Sequence, residues 1–168
     1  MTLAETDRLI IRDWTIDDIA GYSQIVSDPE VMKFIGKGKT QTYQEAKTYI
    51  KNCIKSMVQK GWTRFAIEIK ETNELVGFCG FAYYNNELDF GWRYAKRFWN
   101  KGYATEAAQA VLDLGIKKFK FPRIVCIAYS ENKASIRIIE KIGMEFEKNI
   151  TLNNREVIQY VKLNDKAT

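Results

Sequence analysis

The residues from Asp89 to Thr105, DFGWRYAKRFWNKGYAT, have the types and spacing of an anion site. An alternating segment, Leu88 to Arg93, runs into a short loop carrying Lys96, Arg97, Lys101 and Gly102, and a helical pattern begins near Tyr103. The start of a helix presents backbone N–H groups without intrahelical acceptors and a partial positive charge. A glycine just ahead of it lets a phosphate approach the backbone, and nearby cations add attraction, so a diphosphate fits. A solvent-capped helix behind a loop glycine satisfies the same pattern. The loop is too short for a P-loop, and no Lys-Ser/Thr follows the glycine. A dinucleotide fold would carry its glycine-rich turn after the first strand instead.

The composition narrows the chemistry further. The chain has no histidine, which removes Ser-His-Asp triads, Cys-His dyads and His-ligated zinc catalysis, and no metal is expected. Carboxylates, hydroxyls, backbone dipoles or a cosubstrate must do the work. Cys53, Cys79 and Cys126 sit in apolar segments without metal-ligand or redox spacing, so they read as buried reduced thiols and point to a cytoplasmic protein. The net charge of +5 suits a small anionic ligand. No basic run with interleaved aromatics supports nucleic-acid binding. No stretch reaches the roughly 18 apolar residues of a membrane span, and the polar Met1–Asp7 stretch does not read as a signal peptide.

The elements that must position these residues follow from hydrophobic periodicity. With 168 residues, 46% hydrophobic, and no linker-like stretch, residues 1–168 are expected to form one domain. Leu9 to Ile11 reads as a strand. A helix capped by Asp13 or Thr15 follows through Ile16, Ile19, Tyr22 and Val26, and Asp28-Pro29 breaks it. A second helix spans about Thr42 to Gln59, with Thr42 and Glu45 as a capping box. Trp62–Lys70, Leu75–Tyr83 and Leu88–Arg93 alternate as an antiparallel meander with turns at Thr72-Asn73 and Asn85-Asn86. A helix from Ala104 to Gly115, a buried strand Arg123–Tyr129 and a helix Asn132–Ile142 with Gly143 as its cap come next. Met144–Ile150 and Glu156–Leu163 close the chain as a hairpin around Asn153-Asn154. The fold class is α+β: a mixed, mostly antiparallel sheet of about seven strands flanked by about four helices.

Several segments resemble the GNAT superfamily of N-acetyltransferases, and within it the RimJ/RimL-like branch. They are ETDRLIIRDW, SDPEVMKFIG, ELVGFCGF, DFGWRY, FWNKGYATEAA and ENKASIRIIEKIGMEFE, in family order and spacing from Glu5 to about Leu163. The resemblance implies acetyl-CoA as cosubstrate, held by a splayed strand pair and by the loop before the central helix. Trp92 and Tyr94 would pair with pantetheine through their backbones. Asn100, Lys101, Gly102, Tyr103, Ala104 and Thr105 would supply the pyrophosphate N–H groups. The wider superfamily has Gln or Arg three residues before the loop glycine, where this chain has Trp99. Asn132 and Ser135 fall on the family's Asn-x-x-Ser element, where Asn132 is also a good N-cap. Lys141 would reach an adenosine phosphate or stay solvated.

The implied reaction is direct attack of a neutral amine on the thioester. Asp89 is the favoured base, directly or through water, where the branch usually carries Glu; Glu87 and Glu156 are alternates. A backbone N–H near Trp92 would stabilise the oxyanion. Ser135 is the favoured partner for the departing sulfur. Cys79 and Cys126 lack a base-type partner for a ping-pong route. Tyr22, Phe34, Tyr43, Trp62, Tyr83 and Tyr84 are candidates to line an acceptor pocket, most of them reading equally as core, and the acids would suit a cationic amine. The acceptor is a protein N-terminus or a small amine, and the chain is a monomer or homodimer. A CoA-holding sensor or scaffold without turnover is the alternative.

Overall fold

The computed structural model describes residues 1–165; positions 166–168 of the expected domain lie outside the described residues. Eight strands form one sheet: β1 (Thr2–Glu5), β2 (Leu9–Arg12), β3 (Arg64–Ile69), β4 (Leu75–Tyr84), β5 (Glu87–Tyr94), β6 (Arg123–Tyr129), β7 (Glu145–Leu152) and β8 (Arg155–Leu163). Their order is β1-β2-β3-β4-β5-β6-β8-β7. Every neighbouring pair is antiparallel except β5 and β6. A parallel pair requires a crossover, and α4 (Tyr103–Asp113) supplies it. The other helices are α1 (Asp18–Val26), α2 (Pro29–Met32), α3 (Tyr43–Lys60) and α5 (Lys133–Lys141).

Local chemistry explains most boundaries. Asn85 and Asn86, and again Asn153 and Asn154, all have positive φ. Two left-handed residues in succession make the hairpin turn whose twist matches its strands, and asparagine tolerates that conformation. In α3 the Thr42 hydroxyl accepts from Glu45 N–H at 3.2 Å, and Thr42 N–H donates to the Glu45 carboxylate at 2.7 Å. This completes the capping box, and Gly61 ends the helix in the left-handed region.

Three expectations need correction. β1 is an eighth strand, pairing on β2, in a segment too short and mixed to show alternation. Pro29 does more than break α1: it opens the single turn of α2, with Asp28 accepting from Glu30 N–H at 2.9 Å. Neither Asp13 nor Thr15 caps α1. Asp18 instead accepts from Thr15 N–H at 2.8 Å while forming a two-pronged pair with Arg12 at 2.8 and 2.9 Å, which ties α1 to β2.

The sheet separates two layers of side chains. Phe78, across from Arg93, faces α1 and α3, where Tyr22 and Tyr49 pack against it and Trp14 packs on Tyr22. Phe81 faces the other way, against Phe90, Phe119 and Phe121. β4 and β5 approach closely at Gly77, where φ is 148° and an added Cβ would lie 1.9 Å from the Arg93 carbonyl oxygen. Gly77→Ala is therefore expected to lower stability by about 2–4 kcal/mol, through strain and forced separation of the strands. Gly36→Ala, in open space at φ 51°, should cost only about 1–2 kcal/mol. Urea unfolding of both variants checks this; equal losses would mean that the β4–β5 approach is not limiting.

Candidate active site

The site forms where β5 and β6 part. Their parallel ladder holds one register pair, Asp89 with Val125, and beyond it the strands diverge around a cavity of about 240 Å³. Asp89 to Arg93 line one wall and Cys126 to Tyr129 the other. Asn132 and Ser135, at the start of α5, close one end, with Phe34 to Gly36 behind α2 and Tyr84 also contributing.

The phase of the β4–β5 ladder decides what β5 offers. Ala95 N–H donates to the Val76 carbonyl at 2.9 Å. Because antiparallel bonds alternate, Arg93, Gly91 and Asp89 pair with β4, while Trp92 and Tyr94 direct their backbone groups towards the parted side. The Tyr94 carbonyl already accepts from the Trp99 indole N–H at 3.0 Å, and Tyr94 lies outside the cavity lining. Trp99, the residue that departs from the superfamily pattern, thus fastens the end of β5.

Side chains alternate in the same register, so Asp89, Gly91 and Arg93 face α1 and α3. The Asp89 carboxylate meets Arg64 Nη2 at 2.7 Å. Gly91 lies beneath the pair; a Cβ there would come 3.6 Å from both partners. Burial pushes the Asp89 carboxyl up from its ordinary value, and the Arg64 charge and hydrogen bond oppose that rise without cancelling it. Arg64 itself stays charged.

Asn132 and Ser135 form a reciprocal pair. Ser135 N–H donates to Asn132 Oδ1 at 3.3 Å, the N-cap bond of α5. Asn132 Nδ2 donates to Ser135 Oγ at 3.1 Å. The hydroxyl therefore acts as acceptor towards Asn132 and keeps its proton for another partner. The Tyr129 hydroxyl, which sequence reasoning missed, donates to the Gly36 carbonyl and accepts from Asn153 Nδ2 at 3.2 Å. It joins the tip of β6 to the loop after α2 and to the β7–β8 turn, and its proton is spent.

The loop before α4 is separate from this cavity. Asn100 and Gly102 have φ of 58° and 80°. Glu106 N–H donates to the Gly102 carbonyl at 3.1 Å, so the N–H groups of Tyr103, Ala104 and Thr105 precede the first helical bond. Arg8 is the residue missed here. It donates to the Lys101 carbonyl at 2.9 Å and to Glu106 at 2.7 Å, and it stacks 4.5 Å over the Tyr103 ring. Its only sequence signal was its place in ETDRLIIRDW, since 93 positions separate it from Lys101. Lys141 is exposed on α5, outside the cavity lining.

Other expected residues are not brought together. Glu87 is held by Arg123 at 3.1 Å, and Glu156 is exposed; neither lines the cavity. Of the six aromatics, Phe34 and Tyr84 line it. Tyr22 touches it only through Arg93, whereas Tyr43 and Tyr83 are exposed and Trp62 packs on Tyr83 and Phe121. Burial raises the thiol pKa of Cys53, Cys79 and Cys126, so none is an activated thiolate. Among the described residues, no group of three or more Cys, Asp or Glu is placed to hold a metal ion. No described helix is long and apolar enough to cross a membrane.

Comparison with known proteins bears on this geometry. The family model described as "Acetyltransferase (GNAT) domain" matches residues 8–145. The chain is 34% identical over 144 residues to the Bacillus subtilis (strain 168) protein named uncharacterized N-acetyltransferase YnaD, covering 84% of this chain and 82% of that one. A GNAT-family acetyltransferase structure from Bacillus anthracis superposes with a TM-score of 0.83 at 32% identity, over 95% of this chain and 96% of that one. A structure of RimL, titled as a ribosomal L7/L12 alpha-N-protein acetyltransferase in complex with coenzyme A, shares the fold, with a TM-score of 0.84 at 17% identity over 98% and 99% of the two chains.

Arg64→Met removes the charge that restrains the Asp89 carboxyl and leaves burial unopposed. The Asp89 titration, followed by carboxyl carbon NMR, is expected to move further up. An unchanged or lower value would show that Arg64 does not set the charge state of Asp89.

Proposed function

Since the chain belongs to the GNAT acetyltransferase family, we propose that it transfers the acetyl group of acetyl-CoA directly to a primary amine, of a protein N-terminus or a small molecule. The observation that carries this reading is the meeting of Asp89 and Ser135 in one cavity, at the point where β5 and β6 part. Acetyl-CoA supplies an activated thioester; the remaining chemistry falls to residues of this chain.

The backbones of Trp92 and Tyr94 would take up the pantetheine arm along the parted edge, as a further strand would. The residues Asn100 to Thr105 fit a diphosphate: two left-handed positions, a glycine with the Arg8 guanidinium 3.1 Å from where a Cβ would stand, and N–H groups ahead of the first helical bond. Lys101 adds charge beside them. Asn132 would serve both as N-cap and as a contact to the cosubstrate, with Lys141 near the adenosine end.

An amine nucleophile is mostly protonated at neutral pH. Asp89, held by Arg64 at 2.7 Å, would in its carboxylate form take that proton directly or through one water. Backbone N–H near Trp92 would donate to the thioester oxygen as charge develops there. Ser135 Oγ, whose proton is not engaged by Asn132, would donate to the departing sulfur. The high thiol pKa of Cys126 in the cavity wall supports direct attack over transfer through cysteine.

Two experiments test this reading. Calorimetric titration with acetyl-CoA should show saturable binding that Gly102→Asp abolishes, since a carboxylate would stand among the phosphate-facing N–H groups; unchanged affinity would mean the anion loop is misassigned. The pH dependence of turnover gives the second. A base must be ionised, and the Asp89 carboxyl is raised, so activity should fall with decreasing pH at a higher pH than an ordinary aspartate would give. Asp89→Asn should lower turnover roughly 10²-fold or more, most strongly above the pH at which Asp89 loses its proton and below that at which the amine loses its own, with acetyl-CoA affinity kept. Equal turnover at every pH would remove Asp89 from the mechanism.

A further inference from the structure

The cavity holds a cation that the reaction above does not use. Arg93 is only 7% exposed and lines the wall beside Trp92. Its Nη1 donates to the Tyr22 hydroxyl at 2.8 Å, and its Nε is buried without a partner. Among the described residues no carboxylate pairs with it. Tyr22 supplies no counter-charge, because burial pushes its hydroxyl up to about 12 and keeps it neutral.

The charges lining the cavity are two guanidiniums, Arg64 and Arg93, against the single carboxylate of Asp89. Asp89 is committed to Arg64. The two guanidinium carbons lie 5.4 and 5.2 Å from the centroid of one ring, Phe78, so they belong to one neighbourhood. A buried charge without a partner costs several kcal/mol. A planar guanidinium with free donors matches the two oxygens of a carboxylate. The cavity, at about 240 Å³, is below the roughly 300–1,000 Å³ of pockets for drug-sized ligands, which favours a small group beside Arg93.

We propose that the acceptor is a small amine that also bears a carboxylate, in the manner of an amino acid, and that Arg93 binds this carboxylate while the amine faces Asp89. The proposal rests on the acetyltransferase reading and deepens it. A neutral acceptor, such as the backbone carbonyl of a peptide, would leave the excess charge of the cavity uncompensated.

The test compares matched substrates on the wild-type enzyme with saturating acetyl-CoA: free amino acids against their carboxamides, at equal concentrations of the unprotonated amine. A charged hydrogen bond of roughly 1.5–3 kcal/mol corresponds to about a 10- to 150-fold preference in kcat/KM for the carboxylate form. Arg93→Met should bring that ratio close to one, and Arg93→Lys should retain part of it. Calorimetric titration with the N-acetylated products of the same pairs gives a readout independent of turnover, and the wild-type comparison decides even if the variants do not fold. Equal use of amides and acids, or acetylation confined to peptides or amines without a carboxylate, overturns the proposal and leaves the acetyltransferase reading standing. If acetyl-CoA binds but no amine of any kind is acetylated, that reading fails and the proposal with it.

Discussion

Everything in the site depends on the early end of one parallel ladder. β5 and β6 share a single register pair, Asp89 with Val125, and must part there because they are reached by different routes. β5 is held on its other edge by β4 along its whole length, through to Tyr94 opposite Gly77. β6 is held along its whole length by β8, from Arg123 opposite Leu163 to Tyr129 opposite Val157. Each strand is thus committed to its outer partner, and sheet twist carries the two apart. Unpaired backbone groups inside a protein are costly. The parted edge is therefore a standing demand for a strand-like ligand, which distinguishes a cleft of this kind from a surface groove.

Within the cleft, the period of two along β5 assigns the roles. Odd positions from Asp89 to Arg93 pair with β4 and turn their side chains towards α1 and α3; even positions offer backbone to the gap. A slip of one residue would exchange the two sets and send Asp89 to the wrong face. The features that prevent a slip lie outside the cleft. They are the Asn85-Asn86 turn at one end of β5 and, at the other, Gly77 under Arg93 and the Trp99 indole on the Tyr94 carbonyl.

Much of this framework was legible in the residues. The asparagine turns, the Thr42–Glu45 capping box, Gly143 at the end of α5 and the β5 alternation all depend on short-range chemistry, and each holds in the structure. Asp89, Ser135 and Asn132 were named through the resemblance to the acetyltransferase family, and of their local roles only the N-cap at Asn132 was legible in the residues themselves. Partnerships between distant residues were not legible. Nothing near Asp89 in sequence indicates Arg64, 25 positions away, and nothing near Lys101 indicates Arg8. Tyr129 looked like any strand aromatic until β6 ended beside Gly36 and Asn153. Which of the six candidate aromatics would line the acceptor pocket was not legible for the same reason: composition reports how many rings there are, and only packing selects Phe34 and Tyr84.

The balance of charge in the cleft follows from these long-range partnerships. An isolated buried Asp89 would be neutral, and so useless as a base, because burial alone raises its carboxyl strongly. Arg64 counters that rise, because its charge and hydrogen bond favour the carboxylate, but burial prevails and leaves the carboxyl above its ordinary value. Arg93 then matters for a reason beyond substrate binding. It adds a second positive charge on the same face, over the same Phe78 ring, and a carboxylate bound to it would cancel that charge. Filling the acceptor position with an anion would therefore raise the basicity of Asp89 at the moment an amine lies beside it. Binding and proton removal are coupled through one cluster of three charges, without any movement of the backbone.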